Sequence, residues 1–157
     1  TQDIALSVLT AVIGHQEDKG WAIVDAGWMA MSRDRGTQTQ ARDYGYGQVC
    51  DLQGIPLAGF LMTGANQEHG IVSLASGAQA AVSSAGLLNP GMTISQRFPI
   101  GAQLRILPNH ACATGAQFPQ YQAVRGQEVG PVWSRFYGWQ LTFRYIIHSC
   151  SRFIGIA

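Results

Sequence analysis

Two good metal ligands stand two positions apart at the end of an apolar run, in Arg105-Ile106-Leu107-Pro108-Asn109-His110-Ala111-Cys112-Ala113-Thr114. If the backbone stays extended there, side chains alternate with a period of two, and His110 and Cys112 project from the same face. An imidazole and a thiolate could then hold one divalent ion. Zinc suits the pair, with bonds of about 2.0 Å to nitrogen and about 2.3 Å to sulfur. Two protein ligands would leave positions open for water or a reactant, which makes the ion a Lewis acid rather than a structural staple. Catalytic zinc usually has three protein ligands, and the same spacing suits a strand end with a buried thiol. Spacing alone leaves both readings open.

A second polar cluster, Asn66-Gln67-Glu68-His69-Gly70, precedes the run Ile71-Val72-Ser73-Leu74. An adjacent carboxylate and imidazole can share a proton, so Glu68 and His69 are candidates for orienting a substrate or a partner's catalytic group; the plainer reading is a polar turn. Tyr44-Gly45-Tyr46-Gly47 offers a phenol beside glycines that permit close backbone approach, or simply the packed start of a strand. His15, at an expected strand end, reads as a solvated or backbone-bonded imidazole. Cys50 and Cys150 read as small core hydrophobes, and His148 supports no argument. Lys19 is the only lysine.

The elements that must position these groups are short β-branched and apolar runs separated by Gly, Pro and Asn, the pattern of many short strands. Seven are expected, at 7–15, 21–24, 46–51, 70–73, 103–106, 121–125 and 129–133, and they suggest a closed or nearly closed barrel. A helical turn fits 27–33, while 77–87 is Ala/Ser-rich and suits either a helix or a loop. Asn89-Pro90-Gly91 reads as a turn, and Phe98-Pro99-Ile100-Gly101 leads into a strand. Trp133, Phe136, Tyr137 and Trp139 read as core or interface aromatics. The chain should be mainly β, with one or two short helices.

Of the 157 residues only 12% are charged, and the net charge is +1. No electrostatic footprint for nucleic acid or an anionic membrane is visible, and every apolar run is broken before it reaches a membrane-spanning length. Residues 1–14 have neither a basic region nor a small-residue cleavage site. So few charges suggest that part of the surface faces other protein. Three widely spaced cysteines, an odd number without a CxxC pair, favour a reduced, cytoplasmic setting.

Several segments carry a resemblance when taken in order: Val8-Leu9-Thr10-Ala11-Val12-Ile13, Ile23-Val24-Asp25-Ala26-Gly27, Met31-Ser32-Arg33-Asp34, Tyr46-Gly47, Gln67-Glu68-His69-Gly70, Pro108-Asn109-His110-Ala111-Cys112 and Trp133-Ser134-Arg135-Phe136. Together they resemble the C-terminal domain of the D-serine dehydratase-like and D-threonine aldolase-like enzymes, the fold-type III, alanine-racemase-like class of pyridoxal-phosphate proteins. The resemblance implies a small β-barrel-like domain over residues 1–139, with an apolar tail of uncertain origin at 140–157. In relatives that domain follows a (β/α)8 barrel carrying pyridoxal 5′-phosphate on a lysine, and no such barrel is present in this sequence. Lys19 falls in a turn of the β domain and is not that lysine.

The resemblance also implies that the histidine and the residue two positions on bind a divalent metal, the positions of His110 and Cys112. Family members called dehydratases tend to carry Cys second, and aldolases Asp. The expected activity is therefore elimination of water from a D-3-hydroxyamino acid to a keto acid and ammonia, with retro-aldol cleavage of the D-threonine aldolase type as the alternative. The expected partner is the barrel, as an N-terminal domain or a partner subunit, in a homodimer; without it the isolated chain should be inactive. Two other classes stay open: a non-catalytic interaction barrel in which His110 and Cys112 are structural, and a free-standing zinc hydrolase with Glu68 as general base.

Overall fold

The structure, a computed structural model, describes residues 4–76, 92–126 and 128–136. In β1 (Val8–Gln16) buried and outward side chains alternate from Val8 to Ile13, the rhythm of a strand with one face on a core. Val8, Thr10 and Val12 point inward. The same inward-facing apolar positions recur in β2 (Trp21–Val24), β3 (Gly47–Cys50), β4 (Pro56–Ala65), β5 (Gly70–Leu74) and β6 (Gln103–Pro108). These six strands close into a barrel in the order β1-β2-β5-β4-β3-β6, every neighbouring pair antiparallel. Closure leaves no strand edge unpaired. Val12, Val24, Val49, Met62, Val72 and Ile106 fill the interior around Phe60, whose ring meets Phe98 edge-on with centroids 4.9 Å apart.

The barrel is built partly from a strand that sequence patterning passes over. Residues 121–125 and 129–133 are strands, as expected, but they pair only with each other, as β7 (Gln120–Arg125) and β8 (Glu128–Ser134). They form a two-stranded sheet in a second unit that begins at Pro119. The sixth barrel strand is β4, whose Pro and two Gly residues read as turn punctuation. Pro56 is tolerated because it is the first residue of the strand. Gly64 sits where the β4–β5 register shifts, the place where an interior glycine marks a bulge. In the second unit Tyr121 lies opposite Trp133. Trp133 and Phe136 are exposed.

Short helices fill the turns: α1 (Trp28–Met31), inside the expected helical stretch, then α2 (Ile94–Arg97) and α3 (Ala111–Ala116), with a 3-10 turn at Glu17–Lys19. That makes three among the described residues, one more than expected. Thr93 caps α2 through a reciprocal bond with Gln96. Glu17 accepts the Ile94 and Ser95 N–H groups at 3.1 and 2.9 Å, and the Ser95 contact holds its carboxyl below the usual range. None of the helices is long and apolar enough to cross a membrane among the described residues. Residues 77–87 and Asn89-Pro90-Gly91 lie outside the described residues, as do Tyr137, Trp139, His148 and Cys150.

Phe60 is the largest fully enclosed side chain in the barrel. Phe60→Ala is expected to lower stability by about 3–5 kcal/mol, read as a shifted urea midpoint with the slope unchanged.

Candidate metal centre

β6 stops at Pro108, and Asn109 secures the corner that follows. Its N–H donates to the Tyr46 carbonyl at 3.0 Å. Its side-chain amide donates to the Gly45 carbonyl at 2.7 Å and to Thr37 Oγ1 at 2.8 Å. Gly45 is required here: its φ is +60°, and a Cβ would lie 2.5 Å from the Met62 carbonyl oxygen. The loop that Asn109 grips is itself tied down, with Arg35 paired to Asp43, and Asp43 accepting the Gly45 N–H at 2.8 Å.

Beyond Asn109 the chain turns helical, so the alternation expected for an extended 110–112 segment does not apply. His110 retains extended backbone as the residue before α3, while Cys112 lies in the first helical turn. The local reason is composition, since Ala111-Cys112-Ala113 puts two alanines, the best helix formers, in that turn. The tertiary reason is Thr114. Its N–H closes the turn onto the His110 carbonyl at 3.1 Å, and its fully buried hydroxyl donates to the Met31 carbonyl at 2.6 Å. The two candidate ligands therefore sit on one strand-to-helix corner, both exposed to solvent. His110 Nδ1 lies 2.7 Å from Asp34 Oδ2.

Asp34 reaches this corner from α1. The N–H groups of Trp28 and Met29 at the start of α1 donate to the carbonyls of Asn66 and Gln67 at 2.9 and 3.2 Å. That approach needs Gly27, where a Cβ would lie 2.4 Å from both carbonyl oxygens. The chain leaves α1 through Ser32, at φ +70°, a strained value for a residue other than glycine. Ser32 Oγ accepts the Asp34 N–H at 3.2 Å. Arg33, between them, lies over the Trp28 ring at 4.3 Å from its centroid.

The donors present suit a borderline or soft divalent ion, because imidazole nitrogen and thiolate sulfur are the ligand types that zinc prefers. Among the described residues no group of three or more His, Cys, Asp or Glu gathers as a metal cage. Glu68 and His69 are exposed in the turn between β4 and β5. His69 lines an open groove with His15, Trp21, Ile13, Ile23 and Ile71, and neither His110 nor Cys112 belongs to it.

The other expectations fare as follows. His15 Nε2 bonds the Phe98 carbonyl at 2.6 Å, a backbone-bonded imidazole. Lys19 ends the Glu17–Lys19 turn and lies over Trp21. Gly47 starts β3 with Tyr46 packed against the core. Cys50 is fully buried, and burial pushes its thiol up to about 11. Sequence reading missed Asn109 and Asp34 as parts of the site, although both stand in the quoted segments. A carboxylate 76 positions from the histidine leaves no local signal.

Residues 5–124 match the family described as "Putative serine dehydratase domain". The D-threo-3-hydroxyaspartate dehydratase of Delftia sp. (strain HT23) is 62% identical to this chain over 138 residues, which are 88% of this chain and 33% of that protein. A solved cysteine-to-alanine variant of D-threo-3-hydroxyaspartate dehydratase, in the metal-free form, shares 61% identity and a TM-score of 0.76, covering 88% of this chain and 34% of the other. A solved alanine racemase-like protein from Idiomarina loihiensis is 44% identical with a TM-score of 0.67, covering 85% of this chain and 32% of the other. The chain thus spans about a third of the length of these relatives.

The two described thiols should separate chemically. Since only the thiolate attacks, Cys112 is expected to take up iodoacetamide in the native protein at pH 8, and Cys50 only after unfolding. Peptide mass mapping checks this. The raised Cys50 value also has a sign for stability: its neutral form is favoured in the fold, so its contribution is present below about pH 9 and lost as pH rises towards about 11.

Proposed function

Because the chain belongs to the D-serine dehydratase-like family, we propose that it is the metal-bearing β domain of a pyridoxal-phosphate-dependent D-amino-acid dehydratase. The reaction is elimination of water from a D-3-hydroxyamino acid, giving a keto acid and ammonia. The observation that carries this reading is the corner at 108–112. An exposed imidazole and an exposed thiol stand there on a braced strand-to-helix junction, in a chain 62% identical to an enzyme named for dehydrating D-threo-3-hydroxyaspartate. That identity favours a substrate of the 3-hydroxyaspartate type over serine or threonine. Cys112, rather than an aspartate, keeps dehydration ahead of retro-aldol cleavage.

When bound, pyridoxal phosphate supplies a sink for the charge left by the departing α-proton, and a divalent ion, zinc by ligand type, stabilises charge on the leaving hydroxyl. This chain's part is to hold and aim. His110 and Cys112 would ligate the ion, and Asn109 and Thr114 keep the corner from shifting. Glu68 and His69, exposed at their turn, take the secondary part of orienting substrate or a group of the partner. The cofactor lysine comes from a (β/α)8 barrel, in the same polypeptide or a partner subunit, and the full assembly is a homodimer, as the resemblance implies. A cytoplasmic setting goes with this reading, because a thiolate ligand must stay reduced.

A second reading, a non-catalytic barrel that docks other protein, is favoured by apolar side chains on the outside of β1: Leu9 is 60% exposed and Ile13 is 44% exposed. Metal analysis separates the two. After loading with zinc and desalting, the chain is expected to retain about one equivalent, lost in His110→Ala and in Cys112→Ala. A folded, self-associating chain that retains no metal would favour the second reading. In an enzyme that includes the barrel, His110→Ala is expected to lower turnover of D-threo-3-hydroxyaspartate at least about 100-fold, because the ion's charge stabilisation is worth several kcal/mol.

A further inference from the structure

We infer that Asp34 is a positioning residue for His110: its carboxylate holds the ring proton on Nδ1 and so leaves the Nε2 lone pair bare for the metal. This role rests on the reading of His110 as a metal ligand. A carboxylate can only accept a hydrogen bond, so at 2.7 Å from Asp34 Oδ2 the Nδ1 atom must be the donor. The bond made by one ring nitrogen decides the state of the other. A ligand histidine must present an unprotonated nitrogen, and a carboxylate behind the ring fixes its tautomer and orientation.

The two partners are 76 positions apart, and the fold takes care over how they meet. Asp34 follows α1, whose first N–H groups are satisfied by the carbonyls of Asn66 and Gln67. The chain then bends at the positive φ of Ser32, and the Ser32 hydroxyl accepts the Asp34 N–H at 3.2 Å. His110 immediately precedes α3, which is joined to α1 by the buried Thr114 hydroxyl on the Met31 carbonyl at 2.6 Å. Both residues of the pair thus flank helices that a buried bond joins to each other. The pair itself remains about half exposed, at 45% for His110 and 56% for Asp34, so substitution of Asp34 leaves the core alone.

The test has a metal-free arm and a metal arm, both on the full chain. In long-range proton–nitrogen NMR spectra of the 15N-labelled, metal-free protein, neutral His110 is expected to be the Nδ1–H tautomer. In Asp34→Ala the Nε2–H form should appear, whereas Asp34→Asn, which keeps an acceptor oxygen, should retain Nδ1–H. In cobalt(II) titrations followed through the thiolate charge-transfer band of Cys112, affinity should fall about 10–100-fold in Asp34→Ala, with Asp34→Asn between it and the wild type. An Nε2–H tautomer in the wild type, or unchanged tautomer and cobalt affinity in Asp34→Ala, would overturn the role of Asp34 alone. Failure of the wild type to bind cobalt at all would overturn the metal centre, and this role with it.

Discussion

One side-chain amide clamps the corner that follows the last barrel strand. Asn109 carries the β3–β6 register one step further with its N–H on Tyr46, while its amide protons go to Gly45 and Thr37 and clamp the chain where it leaves the strand. The ligand pair therefore rises from a corner and not from a strand, with the imidazole before the helix and the thiol within its first turn. Hydrogen bonds in a partly enclosed setting are costly to break because the orphaned carbonyl and hydroxyl would lose their partner without regaining water fully. That is what makes a short, solvent-facing corner a dependable mount.

The barrel supplies the rigidity behind it. Six antiparallel strands closed on themselves present no unpaired edge, and valines, Met62 and Ile106 pack the interior around Phe60. The helices contribute little by themselves, since α1 has only four residues and α3 six, lengths far below what stands alone in water. They persist because other parts of the molecule hold them: the first N–H groups of α1 go to the turn between β4 and β5, and the last carbonyl of α1, that of Met31, accepts the Thr114 hydroxyl of α3.

What the sequence disclosed follows the same division. Runs with clean alternation, such as Val8 to Ile13 and Trp21 to Val24, are readable as strands because their period is local. β4 is not readable in that way: Pro56, Gly59 and Gly64 imitate a loop, and only pairing with β3 and β5 shows that they are accommodated. The 121–125 and 129–133 runs read correctly as strands, but period says nothing about partner choice, and they pair with one another. At the site, residue type is enough to make His110 and Cys112 candidates. It is not enough for Asp34 and Asn109, because what gives them meaning is contact with residues 76 and 72 positions away.

The grip on α1 comes from the main-chain oxygens of Asn66 and Gln67, not from their side chains, which face solvent together with those of Glu68 and His69. Backbone carbonyls are common to every residue type. The side chains of Asn66 and Gln67 are consequently free to drift, or to be rewritten by design, while the helix their carbonyls hold keeps its place.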